Sequence, residues 1–222
     1  MIAVTDSACR TICGDGLVFD LDGVLVDTGR WWSLAERIAV ERLGGRPVAI
    51  GSEPILGGLA PLVAATELAR VTGLTGRETA LMAAIDDAAP AVFRQHVQPV
   101  PRALAVLDAV AEHVPVAVAT NATRIIAEAS MAAADITSRT RGLVAADEVA
   151  AGKPDPAVYL RACQIIGTDP ERTIAVDDTA VGVAAAVNAG MRVIRFGSGP
   201  FAANDGALGH IVDWIRVTVS VC

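Results

Sequence analysis

Leu17, Val18 and Phe19 form a short apolar run ending in Asp20, which predicts a strand buried on both faces whose end meets solvent. From Thr28 to about Arg94 the period changes. Apolar residues recur at spacings of three and four through Trp31, Leu34 and Ile38, then Leu62, Leu68, Leu81 and Ile85. Gly44, Gly45 and Gly73 interrupt this pattern, so the segment predicts several helices forming an all-helical insert. After Pro99 and Pro101 the two kinds of pattern alternate. The expected order is a helix over Arg102–Glu112, a strand over Val116–Ala119, a helix from about Thr123 and a short strand over Leu143–Ala145. A helix over Pro156–Ile166, a strand over Ile174–Val176, a helix over Ala180–Asn188 closed by Gly190 and a strand over Val193–Phe196 complete it.

Parallel strands need a crossover helix to bring the chain back, so this alternation predicts an α/β fold, a doubly wound parallel sheet carrying the inserted helices. The expected division is an N-terminal extension over residues 1–14, an α/β core over 15–27 and 95–222, and a helical cap over 28–94.

Composition narrows the function classes. With 222 residues, the chain is long enough for a core domain and a smaller inserted one. It is 53% hydrophobic with a mean hydropathy of +0.48, yet no apolar run reaches the roughly 18 residues that cross a bilayer. Residues 1–10 lack the basic start and apolar stretch of a secretory signal, and a cytoplasmic location is expected. A net charge of -7 without a basic cluster argues against nucleic-acid and anionic-membrane surfaces. Small-molecule chemistry is favoured, in a monomer or weak homodimer. Cys9, Cys13, Cys163 and Cys222 are too scattered for a disulfide framework and are expected as reduced thiols.

Ligand crevices of such sheets lie at the carboxyl ends of the strands, so the polar residues that follow apolar runs are the candidates. They are Asp20 and Asp22 with Gly23, Thr120 and Asn121, Lys153 before Pro154, and Asp177 and Asp178. Any one of these sets suits a helix cap or a loop; together they suit phosphoryl transfer, in which spread charge must be positioned and neutralised. Asp20, Asp22 and Asp178 would gather hard oxygens around Mg²⁺, one carboxylate would attack phosphorus, and Asp22 is placed to move protons. Lys153 is the chain's only lysine, and the other 17 basic residues counted with it are arginine. A compact ammonium suits a point contact to a phosphate or carboxylate oxygen.

Four stretches in this order, DLDGVLVDT from Asp20, VATN from Val118, KPDP from Lys153 and VDDTAVGVAAAVNAG from Val176, resemble the motifs of the haloacid dehalogenase superfamily. The branch is the one with a helical cap, which contains phosphatases and β-phosphoglucomutases, and the similarity runs from about Leu17 to Phe196. The resemblance implies a Rossmann-like core with Asp20 as nucleophile and Asp22 as acid/base. It also implies phosphate contacts from Thr120 and Lys153, Asp177 and Asp178 holding the metal with Asp20, and Asn121 as a neighbouring contact.

Within that family the residues favour one activity. Asp22 argues against dehalogenation, because dehalogenases of the superfamily lack the second aspartate. The absence of lysine over residues 28–94 argues against a Schiff-base phosphonate hydrolase. Sugar phosphomutases grip a second phosphate with basic cap residues, whereas here the comparable loop, Ile55 to Pro61, is apolar and uncharged. The expected function is Mg²⁺-dependent hydrolysis of a sugar, cyclitol, polyol or short-acid phosphate, with a phosphomutase and a non-catalytic phospholigand-binding protein as the alternatives. Trp32 and Arg30 are candidate substrate contacts, and Trp31 and Trp32 could stack on a sugar ring or simply pack the first cap helix.

Overall fold

The computed structural model describes residues 1–5, 11–47, 58–197, 205–214 and 217–221. Each of the five apolar runs read as strands forms one. The chain begins with β1 (Ile2–Thr5), β2 (Thr11–Gly14), β3 (Gly16–Phe19) and the short β4 (Val26–Asp27). Three helices follow, α1 (Gly29–Arg42), α2 (Pro61–Thr72) and α3 (Glu78–His96), and the chain returns through the short β5 (Gln98–Pro99). Then come α4 (Ala103–Ala111), β6 (Val116–Ala119), α5 (Arg124–Ala133), β7 (Gly142–Val144), α6 (Ala157–Ile166) and β8 (Thr173–Asp177). The last elements are α7 (Ala180–Asn188), β9 (Arg192–Phe196), β10 (Gly209–Ile211) and β11 (Thr218–Val221).

Six strands make one sheet in the order β10-β9-β8-β3-β6-β7, with every neighbouring pair parallel. From β3 the chain builds outward through β6 and β7 on one side and β8, β9 and β10 on the other. β3 therefore ends at the switch point where a crevice opens. The period of two sorts the strand side chains into two cores. Leu17, Phe19, Val116, Val118, Ile174 and Val176 pack on one face. Val18, Ala117, Ala119 and Ala175 pack on the other, against Val158, Tyr159 and Ala162 of α6.

Trp214 fixes the loop that follows β3. Its ring stacks on Phe196 at 4.6 Å and meets Phe19 edge-on at 5.7 Å. Its Nε1–H donates to the Val24 carbonyl at 2.8 Å, so the loop carrying Asp20 and Asp22 is tied to the far edge of the core.

Residues 1–14 are more than an extension. β1 pairs antiparallel with β2 and with β11, and Ile2, Val4 and Ile12 are buried in the first core. Cys13 is disulfide-bonded, which corrects the expectation of four reduced thiols. Cys163 is free, and Cys9 and Cys222 lie outside the described residues.

β4 and β5 pair antiparallel, Val26 with Pro99 and Asp27 with Gln98, so the helical insertion leaves and rejoins the sheet across one small ribbon. Its helix α3 lies against α1 and against α5 of the core. Among the described residues no helix is long and apolar enough to cross a membrane.

Candidate active site

The end of β3 and the end of β8 lie side by side, which brings Asp20 and Asp177 together. Lys153, only 2% exposed, reaches between them from the loop before α6. Its Nζ donates to Asp20 Oδ1 at 2.6 Å and to Asp177 Oδ2 at 2.8 Å, two charge-assisted bonds in a water-poor site. Burial works against the Lys153 charge, but Asp177 and Asp20 more than offset it and hold the ammonium above its ordinary pKa. Asp177 is fixed from every side. Tyr159 donates its hydroxyl to Oδ2 at 2.6 Å, and Oδ1 accepts from the Thr179 amide at 2.9 Å and hydroxyl at 2.8 Å. The same Thr179 oxygen caps α7 by accepting from the Gly182 amide at 3.0 Å. Position 182 must be glycine, because a Cβ there would stand 1.9 Å from the Asp177 carboxylate.

Tyr159 was not among the residues picked from the sequence. Its ring lies 5.0 Å from the Lys153 Nζ. The available signal was its rarity, since it is the chain's only tyrosine and follows the only lysine by six positions.

Asp20, Asp177 and Asp178 each offer an oxygen within 4.8 Å of the others. Asp178 Oδ1 is buried without a hydrogen-bond partner among the described residues. Burial first, and then the neighbouring Asp177, lift the Asp178 carboxyl to about 7 against the pull of Lys153. Burial likewise raises Asp20 well above its ordinary value. A crowded set of hard oxygens with one atom unsatisfied and only one ammonium nearby fits a divalent cation such as Mg²⁺.

Asp22, also expected among the metal-holding residues, lies outside the set of three carboxylates whose oxygens come within 4.8 Å of one another. Its Oδ1 accepts from the Thr28 hydroxyl at 2.6 Å and from Trp32 Nε1–H at 3.0 Å, and Thr120 Oγ1 lies 3.5 Å from Oδ2. Neutral donors turn this carboxylate toward the helical insertion. Burial raises its pKa, with Thr28 and Trp32 opposing.

A cavity of about 370 Å³ lies between the strand ends and the insertion. Asp20, Asp22, Thr120, Asn121, Lys153 and Asp178 line it from the sheet side, and Trp32, Leu59, Met82 and Ile85 from the insertion. Asn121 has its amide engaged by backbone: Oδ1 accepts from the Lys153 amide at 2.7 Å, while Nδ2 donates to the Gly58 carbonyl at 3.0 Å and the Lys153 carbonyl at 3.2 Å. It thus aligns the Lys153 loop and ties it to the insertion. Of the apolar loop expected near the substrate, residues 55–57 lie outside the described residues, and Gly58, Leu59 and Pro61 line the cavity. Arg30, a candidate substrate contact, stands on α1. Its guanidinium lies 5.2 Å from the Trp31 ring centroid, Trp31 stacks on His96 at 4.3 Å, and neither Arg30 nor Trp31 lines the cavity.

The sequence profile of the haloacid dehalogenase-like hydrolases matches residues 17–196. Hexitol phosphatase A of Escherichia coli is 27% identical over 191 residues, covering 81% of each chain. The CBBY-like protein of Arabidopsis thaliana is 44% identical over 63 residues, so the match spans 28% of this chain and only 20% of that one. Among solved structures, CbbY from Rhodobacter sphaeroides in complex with phosphate has the same fold, with a TM-score of 0.78 at 22% identity over 91% of this chain and 96% of that one.

Proposed function

The chain belongs to the haloacid dehalogenase-like hydrolases, and we propose that it is a phosphoric monoester hydrolase, a Mg²⁺-dependent phosphatase of small organic phosphates working through an aspartyl phosphate on Asp20. One observation carries this reading. Asp20 and Asp22 are two residues apart yet live in opposite settings, the first bonded to an ammonium at 2.6 Å and the second to neutral donors. Such a split gives two nearby carboxylates different surroundings, as an attacking group and an acid/base require.

In the first half-reaction an Asp20 oxygen bonds to phosphorus, the bond from phosphorus to the leaving oxygen breaks, and Asp22 gives that oxygen its proton. Asp22, now a carboxylate, then takes a proton from a water that attacks phosphorus. The bond to Asp20 breaks and inorganic phosphate leaves. Lys153 and the Thr120 hydroxyl sit on the sheet side of the cavity, where they would meet phosphoryl oxygens, and Asn121 keeps the Lys153 loop in place. Asp20, Asp177 and Asp178 would hold Mg²⁺, which supplies charge neutralisation to the phosphoryl group. The helices of residues 29–96, acting as a cap, exclude bulk water from the aspartyl phosphate.

The test is release of inorganic phosphate from sugar, cyclitol, polyol and short-acid phosphates, with Mg²⁺ and with chelator. Metal-dependent release is the expected result. Dependence on an added bisphosphate with no free phosphate would point to a mutase, and inactivity of metal-loaded protein toward the whole panel would point to a binding role.

A second expected result does not depend on turnover. Asp178 is raised to about 7 in the fold from an ordinary 3.8, so between those values the metal-free folded state holds more protons than the unfolded one. Its contribution to stability is present in full below about pH 4 and is lost as pH rises through 7. A bound cation competes with that proton. Mg²⁺ should therefore raise the unfolding temperature more at pH 7.5 than at pH 5.5, and at a hundred times its Kd it adds about 2.7 kcal/mol of stability. Equal shifts at the two pH values in thermal unfolding would count against this metal site.

A further inference from the structure

The face of the cavity away from Asp20 is largely apolar: Leu59, Met82, Ile85 and Ile126 line it together with Trp32. One charged group interrupts that wall, Asp86 on α3. Its Oδ1 accepts from the Thr123 hydroxyl at 2.7 Å, across the junction between insertion and core. Its second oxygen has no partner among the described residues. None of the seven arginines in residues 28–94 lines the cavity. Arg37, Arg42 and Arg70 pair with Glu41, Asp87 and Glu67, and Arg46 and Arg77 donate to the backbone carbonyls of Val71 and Leu43. Residues 48–57, outside the described part, contain no basic residue either. Lys153, the one cation lining the cavity among the described residues, is already shared by Asp20 and Asp177.

Resting on the phosphatase reading above, we infer that Asp86 is a specificity-determining residue that accepts a hydrogen bond from a hydroxyl of the leaving group and turns away leaving groups carrying a second anion. The favoured substrate class is then the monophosphate of a neutral polyhydroxylated compound, a hexitol, a sugar or a cyclitol. Its C–H face meets the wall of Leu59, Met82, Ile85 and Ile126, and one of its hydroxyls meets the unfilled Asp86 oxygen. A carboxylate or second phosphate at the same place faces a like charge with no counter-ion, and such a clash is a means of rejecting a competitor. Short-acid phosphates and sugar bisphosphates are the classes rejected. Burial already raises Asp86 above its ordinary pKa, so the site tolerates added negative charge poorly.

The experiment compares kcat/KM for sorbitol 6-phosphate, phosphoglycolate and fructose 1,6-bisphosphate in wild type, Asp86→Asn and Thr123→Val. Wild type should prefer the hexitol phosphate. Asp86→Asn keeps the shape and removes the charge, and should narrow that preference over both anionic competitors about tenfold. Thr123→Val, which loosens the junction and leaves the carboxylate, should slow all three substrates by a similar factor. A preference changed less than twofold by Asp86→Asn, or changed as much by Thr123→Val, overturns the inference while leaving the phosphatase reading intact. The same three compounds titrated calorimetrically into Asp20→Asn protein measure the preference as affinity. That readout decides the role of Asp86 even if the wild-type protein releases no phosphate, a result that would sink the hydrolysis reading alone.

Discussion

Asp20→Asn is expected to cut phosphate release by a factor on the order of 10⁴ or more, since the variant keeps the side chain's shape and loses its nucleophilic oxygen. The fold should survive. Asparagine still offers an oxygen to Lys153, which lies 2.6 Å from Asp20 Oδ1, and the change removes one of four crowded carboxylates. Burial raises Asp20 well above its ordinary pKa, with Asp177, Asp178 and Asp22 adding to that effect, so part of its charge is unfavourable in the fold. The unfolding temperature of the metal-free variant should equal or exceed that of wild type. Phosphate assays and thermal unfolding on the same preparations check both halves. Wild-type rates in this variant would remove Asp20 from the chemistry, and a lost fold would make the kinetic result uninterpretable.

Lys153→Met should damage activity and stability together, in contrast to the first variant. Methionine fills a similar volume, but Asp20 and Asp177 lose the ammonium that bridges them. Leaving a buried charge without its partner costs about 3–5 kcal/mol, and for a chain of this size that is a drop of roughly 10 °C in the unfolding temperature. Mg²⁺ should restore part of the stability, because it offers the same oxygens a positive charge, and little of the rate, because the contact aligning Asp20 is gone. An unfolding temperature within about a degree of wild type in chelator would mean that the pair contributes nothing to the fold.

The strand ends were legible because two independent signals coincide there. A short apolar run fixes the strand, and an acid or hydroxyl directly after it marks the edge of the crevice, as with Phe19 before Asp20 and Ala119 before Thr120. The side-chain direction of Asp22 was not legible. The alternation argument needs an extended chain, and beyond Phe19 the backbone turns, with the Leu25 and Val26 amides both donating to the Leu21 carbonyl. Helical positions were harder still. Trp31 and Trp32 are alike in sequence, but successive residues on a helix point in different directions. One stacks on His96 and the other donates to Asp22. Asp86 sits within an ordinary helical period, and only α5 packed opposite gives it Thr123 and a place in the cavity. The strands β1, β2 and β11 were missed for a related reason: each has four residues, and β1 is paired with a strand at the other end of the chain.

The β4–β5 ribbon bears on how chains of this build diversify. The stretch between Asp27 and Gln98 begins and ends on one hydrogen-bonded pair, so its two ends are already neighbours in the core. The entropy of closing a longer or shorter stretch across such fixed ends changes only slowly with length. β3, β6 and β8 meanwhile take their register from one another and need no strand from that stretch. A recombination event that swaps everything between the two ribbon strands would leave Asp20 and Lys153 where they are, provided the newcomer returns donors to Asp22 in place of Thr28 and Trp32. The cleavage proposed for the strand ends and the selectivity proposed for the insertion would thus be written on separate, separately heritable lengths of chain.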